Sequence, residues 1–279
     1  MSDSIRLPNG QDFLLRVSYT QPEANGVTVL VVISCISMVA VIGLLAMIAL
    51  SAFNTRTSKD RTIFVRTHVA AYLVSLLLCN LLQAIASLMN ATWIRRGGVN
   101  FGNACTVQGA LKHISDVGIA LWTLVIAINT FSLLFLELKL RPYVLWLTLT
   151  SGWFGLGAIV ISGPAVLNTV ERGPFYGLAG AWCWISDGYT AQRTTLDYMF
   201  MFISLVLSSI IYTLVYLRLR GYLVVSGWYV RLRFNGSDRG SWHGRIANDQ
   251  ALVISRQMLL YPVTLASIRA LQQTPDLFH

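Results

Sequence analysis

At 279 residues, with 55% hydrophobic and 12% charged side chains and a mean hydropathy of +0.60, the chain carries about half the charge of a soluble domain. Its 12 carboxylates cannot solvate a 30.9 kDa globule and leave little stock for acid–base or metal chemistry, so the excess apolar surface has to face lipid. Disorder, collagen and a small disulfide-rich fold are excluded by the same figures, and the net charge of +9 does not point to nucleic acid, because the basic residues cluster between apolar runs rather than along one face.

Residues 1–26 are polar and mixed in charge, which predicts an N-terminal tail without a secretory leader, so that the first span itself directs insertion. Val27 to Ala52 is a run of 26 residues without a charge, Val69 to Ile94 is a second, and Val117 to Leu136 is a third of 20. Pro142 to Val170 and Tyr198 to Leu217 add a fourth and a fifth. A bilayer of about 30 Å needs roughly 20 helical residues, and an open sheet would leave backbone groups unpaired in hydrocarbon, so residues 27–217 read as a five-helix bundle. Residues 218–256 form a basic loop, and 257–279 a partial sixth helix and tail in which Gln257 to Ile268 has only 12 uncharged residues, interrupted by Pro262.

Lys and Arg between the spans set the orientation. Four follow the first span, two the third and seven the fifth, against six on the opposite side, which places the N-terminus outside and the 218–256 loop in the cytoplasm. Asn90-Ala91-Thr92 is then a glycosylation sequon on the outer side but too near the membrane for good modification. Cys35 and Cys79 lie mid-span and read as small apolar side chains, whereas Cys105, opening the third helix, and Cys183, within Trp182-Cys183-Trp184, both face the oxidising side. They can bridge, pinning the 171–196 loop over the end of helix three; the other reading is two unpaired surface thiols.

At 100° per residue, Gln108, Lys112, Asp116, Ile119, Thr123, Thr130 and Glu137 share one stripe of helix three. Lys112 and Asp116 are four apart and face the bundle interior, either as a ligand site or as an ion pair that locks helix packing. His113 stands 80° off the stripe and reads as weak for a metal. Asn80, Gln83 and Asn129 read as interhelical hydrogen-bonding groups, and Gly152, Gly155, Gly157 and Gly163-Pro164 as sites of close packing and a kink. Arginines alternate with aromatics from Arg218 to Phe234, suited to the headgroup layer or to a partner protein. Glu137 and Arg141 at the base of helix three have the spacing of a switchable ion pair.

No phosphate-binding Gly-rich loop, Gly-x-Ser-x-Gly elbow or His-Glu-x-x-His occurs, and the four histidines have no zinc-site spacing. The sequence therefore points away from an enzyme, and no cofactor or metal is expected. The only lysines are 59, 112 and 139, with Lys112 high in helix three, which argues against a retinal Schiff base. A small-solute transporter or channel stays open as an alternative, although paired broken helices and repeated halves are not apparent.

The run from Cys105 through Gln108-Gly, the stretch Asp116 to Phe131 with Trp122 and Asn129, the triplet Trp182-Cys183-Trp184 and the late Arg256-Gln-Met-Leu-Leu-Tyr261-Pro262 resemble fungal G-protein-coupled receptors. The nearest group unites fungal glucose-sensing receptors with slime-mould cyclic-AMP receptors, and the similarity covers roughly residues 27–263. The resemblance implies an all-α, seven-transmembrane-type bundle in the plasma membrane, here with five clear helices, a partial sixth and no seventh. It implies an extracellular small ligand, glucose-like or cyclic-AMP-like, bordered by Gln108, Lys112 and Asp116, a disulfide between Cys105 and Cys183, and a heterotrimeric G protein (Gα) feeding cyclic-AMP signalling. The face toward that partner would carry Glu137, Arg141, Arg218 and Arg220. The chain departs from the pattern after Pro262, as a shifted reading frame would make it, so a non-signalling receptor remnant is a further expectation. The base of helix three also lacks an Asp/Glu-Arg-Tyr triplet.

Overall fold

A computed structural model describes residues 3–8, 10, 12–57, 68–136, 138, 141–168, 172–219, 223–226 and 229–232. In chain order these form strands β1 (Asp3–Arg6) and β2 (Asp12–Ser18), helices α1 (Gln21–Thr57), α2 (His68–Leu88) and α3 (Asn90–Arg95), and strand β3 (Gly98–Asn100). Helices α4 (Asn103–Leu134) and α5 (Pro142–Ser162), strands β4 (Tyr176–Ala179) and β5 (Trp182–Ile185), helices α6 (Thr190–Arg193) and α7 (Met199–Leu219), and strands β6 (Leu223–Ser226) and β7 (Tyr229–Leu232) follow. Two π-helical turns interrupt the regular helices: Gly163–Leu167 continues α5, and Thr194–Tyr198 joins α6 to α7.

Five stretches are long and apolar enough to cross a membrane: Gln21–Asn54, His68–Arg95, Asn103–Leu134, Pro142–Leu167 and Asp187–Arg218. This is a multi-pass helical membrane protein, and its spans match the five charge-free runs in number and order. The third begins 14 residues before Val117, because Lys112 and Asp116 lie within the helix rather than before it. The predicted Gln257–Ile268 segment and most of the 218–256 loop lie outside the described residues.

The strands are the main departure from an all-α reading. Within the tail expected at 1–26, Asp3–Arg6 and Asp12–Ser18 form a β-hairpin and residues 21–26 already belong to α1: β1 pairs antiparallel with β2 in the register Ser4↔Leu14, Ile5↔Phe13, Arg6↔Asp12. Strand β3, between α3 and α4, adds antiparallel to β2 with Arg16↔Asn100, Val17↔Val99 and Ser18↔Gly98. Gly98 is required there, since a Cβ would collide with the Val17 carbonyl. β4 and β5 make a second hairpin around Trp182-Cys183-Trp184, and β6 and β7 a third within the basic loop.

The described chain divides into two compact units, Met1–Trp122 with Pro142–Met201, and Thr123–Arg141 with Phe202–His279. In the first, Trp122 is fully buried, stacked on Tyr72 (centroids 6.2 Å apart), tilted against Trp153 (5.8 Å) and lying over Gly152. Cys79 packs on Gly118, as a small apolar side chain should, while Cys35 is exposed. Gly155 and Gly157 have open space about them, so close packing in α5 falls to Gly152 and Gly163. In the second unit, Phe135 and Val215 form a buried pair flanked by Phe131, Leu214 and Leu217.

Candidate ligand site

Chemistry-bearing side chains gather in the first unit beneath the disulfide. Cys105 and Cys183 are bonded, joining the first turn of α4 to β5. Around them Trp93, Val99 and Leu178 are buried, with Leu14, Val17, Tyr19 and Phe101 packed against the cluster, so the N-terminal hairpin belongs to the same small core. The Tyr19 hydroxyl donates to the Ala181 carbonyl at 2.7 Å. Burial, and after it the Glu23 carboxylate, push the pKa of that hydroxyl well up. On the surface of this cap, Leu7, Phe13, Asp12, Arg172, Ser186 and Asp187 line a shallow groove.

Gln108 is the hub of the cap. It is 0% exposed; its Nε2 donates to Ala86 O (2.9 Å) and Asn90 Oδ1 (2.6 Å), and its Oε1 accepts from Trp93 Nε1 (2.9 Å) and Cys183 N (3.3 Å). Two donors and two lone pairs are thereby committed, which leaves a ligand nothing to bind. Of the three residues expected to border a ligand, Gln108 instead ties α2, α3, α4 and β5 together. The same bond holds Asn90, 1% exposed, inside the protein.

One turn further along α4, Lys112 Nζ stands 4.2 Å from the centroid of the Trp182 ring, a cation–π contact between α4 and β5. Asp116 is 7% exposed, and Ser115, beside it, donates to Gln83 Oε1 on α2. Gln83 therefore fulfils its expected interhelical role. Asn80 does not: its Nδ2 bonds back to Leu76 O of the same helix at 2.9 Å. Asn129, in the second unit, is buried with no hydrogen-bond partner among the described residues.

The group missed from sequence is His113. It is 0% exposed, with Nδ1 3.0 Å from the Tyr176 hydroxyl and Nε2 3.2 Å from the Leu196 carbonyl. Tyr176 Oη also lies 3.1 Å from Val160 O. The Val160 carbonyl is available because position 164, its regular helical donor, is a proline without N–H. Leu196 sits in the π-helical turn Thr194–Tyr198, next to Asp197, itself 0% exposed. Such turns recur at functional sites. Burial, and after it Asp197, push the Tyr176 pKa well up. Phe175 packs into the space a side chain at Gly163 would need, fixing β4 against α5. Arg193 lies 5.1 Å from the Trp184 ring and is held by Asp187 (2.7 Å) and the Ile185 carbonyl. A faint trace existed in sequence: His113 adjoins the polar stripe, and Pro164 announces a freed carbonyl four residues earlier.

Of the residues assigned to the other face, Arg218 in the second unit lies 5.2 Å from the centroid of the Phe135 ring and Arg141 is exposed. Glu137 and Arg220 lie outside the described residues. Among the described residues no cluster of three or more His, Cys, Asp or Glu could hold a metal ion. Neither protein-family models nor curated proteins give a match to this chain.

Proposed function

We propose that the chain is a G-protein-coupled receptor of the plasma membrane, with its N-terminus outside, that senses a small polar ligand, sugar-like or nucleotide-like, and signals through a heterotrimeric G protein to cyclic AMP. The observation that carries this reading is the disulfide-pinned β4–β5 hairpin. It sets Trp182 over Lys112, one turn from Asp116, among buried polar groups of the third and fifth spans. A cationic and an anionic side chain beside aromatic rings suit a hydroxyl-rich or phosphorylated ligand, and a hairpin at the mouth gives the ligand something to displace or clamp. Differential contact of the ligand with two bundle states would then bias the cytoplasmic surface.

The test is guanine-nucleotide exchange on an added Gα subunit with the chain in vesicles, across sugars and cyclic nucleotides. Ligand-dependent exchange that is lost in Lys112→Ala and Asp116→Ala, with surface expression retained, is expected; unchanged dose response in both variants rejects this site. One observation favours a second reading: a π-helical turn, Thr194–Tyr198, interrupts the fifth span, and discontinuous helices are a feature of transporters. Tracer uptake into vesicles without any G protein would select a small-solute transporter or channel instead.

A further inference from the structure

We infer that His113 is a proton-binding switch, in which uptake of one proton on Nδ1 completes a hydrogen-bond chain joining α4, β4, α5 and the π-helical turn before α7. The argument is a count of protons. The Leu196 carbonyl can only accept, so His113 Nε2 must carry a hydrogen to use the 3.2 Å contact. A neutral imidazole then has a bare Nδ1, which can only accept from the Tyr176 hydroxyl, 3.0 Å away. The Val160 carbonyl, 3.1 Å from the same hydroxyl and deprived of its regular i+4 donor by Pro164, competes for that one phenolic proton. Neutral His113 therefore leaves one of these two acceptors without the phenolic proton. When a proton from water binds Nδ1, the new N–H donates to the Tyr176 oxygen, the phenolic hydrogen turns to Val160, and all three contacts hold together.

Every group around the ring bears on this charge. Complete burial is the strongest influence and opposes the charge, as does Lys112, the preceding residue; Asp116, one turn along α4, and the Leu196 carbonyl favour it, and Asp197 directly follows Leu196. Tyr176 from β4 and Tyr198 from the π-helical turn are the neutral titratable neighbours, α5 contributes the Val160 carbonyl, and Arg193 is engaged with Asp187. The inference needs neither a ligand nor a G protein, so it stands or falls apart from the receptor reading.

Histidines are few enough to make the test direct. In a full-length chain carrying His68→Gln, His243→Gln and His279→Gln, His113 is the single histidine, and nitrogen-15 NMR of the labelled ring in detergent micelles reports both nitrogens. Near pH 8 one protonated Nε2 and one bare Nδ1 are expected, and near pH 5 two protonated nitrogens. Adding Tyr176→Phe removes two hydrogen bonds from the charged state and one from the neutral state, which lowers the transition by about 0.5–1 pH unit. Pro164→Ala restores a helical donor to Val160, frees the phenolic proton for Nδ1 and moves the transition in the same direction. A ring that keeps one protonation state from pH 5 to 8 overturns the inference, as does a transition that both added substitutions leave in place.

Discussion

Gln108 donates to the side chain of Asn90 at 2.6 Å, and that bond removes a glycosylation sequon from reach. With Asn90 buried against α4, a glycan on its nitrogen would have to expel Gln108 from the centre of the cap. Intact-mass measurement on protein from a glycosylating host should therefore find residue 90 unmodified, and endoglycosidase should leave unshifted a variant lacking the chain's other sequon, Asn235-Gly236-Ser237.

The same hub predicts a large stability effect without a direct effect on ligand affinity. Gln108→Leu strands the Trp93 N–H, the Cys183 N–H and the Ala86 carbonyl in a dry core. Such losses amount to about 2–4 kcal/mol. Thermal unfolding in detergent should show the drop, and any correctly folded fraction should respond to ligand at the wild-type midpoint.

Breaking the bridge should loosen the cap as a whole. Cys105→Ser, Cys183→Ser and the double variant should each lose about 2–4 kcal/mol, and equally, because the interaction vanishes with either partner. Limited proteolysis should then cut between residues 3 and 18, since Leu14, Val17 and Tyr19 pack on the bridge. A double variant clearly less stable than either single one would show that the thiols contribute separately.

Lys112 and Trp182 should be coupled. A double-mutant cycle of Lys112→Met and Trp182→Leu is expected to return about 0.5–2 kcal/mol of interaction, the range for a cation over an indole face. Lys112→Arg should keep most of it, and an additive cycle would mean that the contact carries no energy.

Tyr19 gives a pH-dependent signature. Its hydroxyl is buried and its pKa lies above the ordinary phenol value of about 10, so the folded state holds that proton more tightly than the unfolded chain. The resulting stability is fully present below about pH 10 and is lost as pH rises toward the folded-state value. Melting temperatures of wild type and Tyr19→Phe should differ at pH 8 and converge in strong alkali.

The spans were legible because charge is costly in hydrocarbon: five runs without Asp, Glu, Lys or Arg correspond to five long helices. The charge-free run marks only part of the third helix, since Lys112 and Asp116 interrupt it while lying inside the protein, although Cys105 opens that helix as expected, close to Asn103. The N-terminal hairpin was missed for a related reason. Asp12–Ser18 has an arginine in its centre and short apolar patches, and its partner β3 is some 80 residues away, so its stability comes from pairing and from packing on the bridge rather than from local preference. The Cys105–Cys183 bridge was readable from side and compartment. The assignment of Gln108 to a ligand followed its position on the polar face, where four internal partners, none evident from periodicity, already satisfy it. His113 was read only as a weak metal ligand because its partners are one main-chain carbonyl and a tyrosine of β4 that itself donates to a second carbonyl, and carbonyls leave no mark on a sequence beyond a well-placed proline.

The pairing of β2 with β3 sets an order on biosynthesis. When α1 emerges from the ribosome, residues 12–18 have only β1 to join; their other edge waits until Gly98–Asn100 has been made, and the Tyr19 hydroxyl waits longer, for Ala181. Until the second span and Gly98–Asn100 have been synthesised, the amino-terminal hairpin therefore keeps one sheet edge unsheltered.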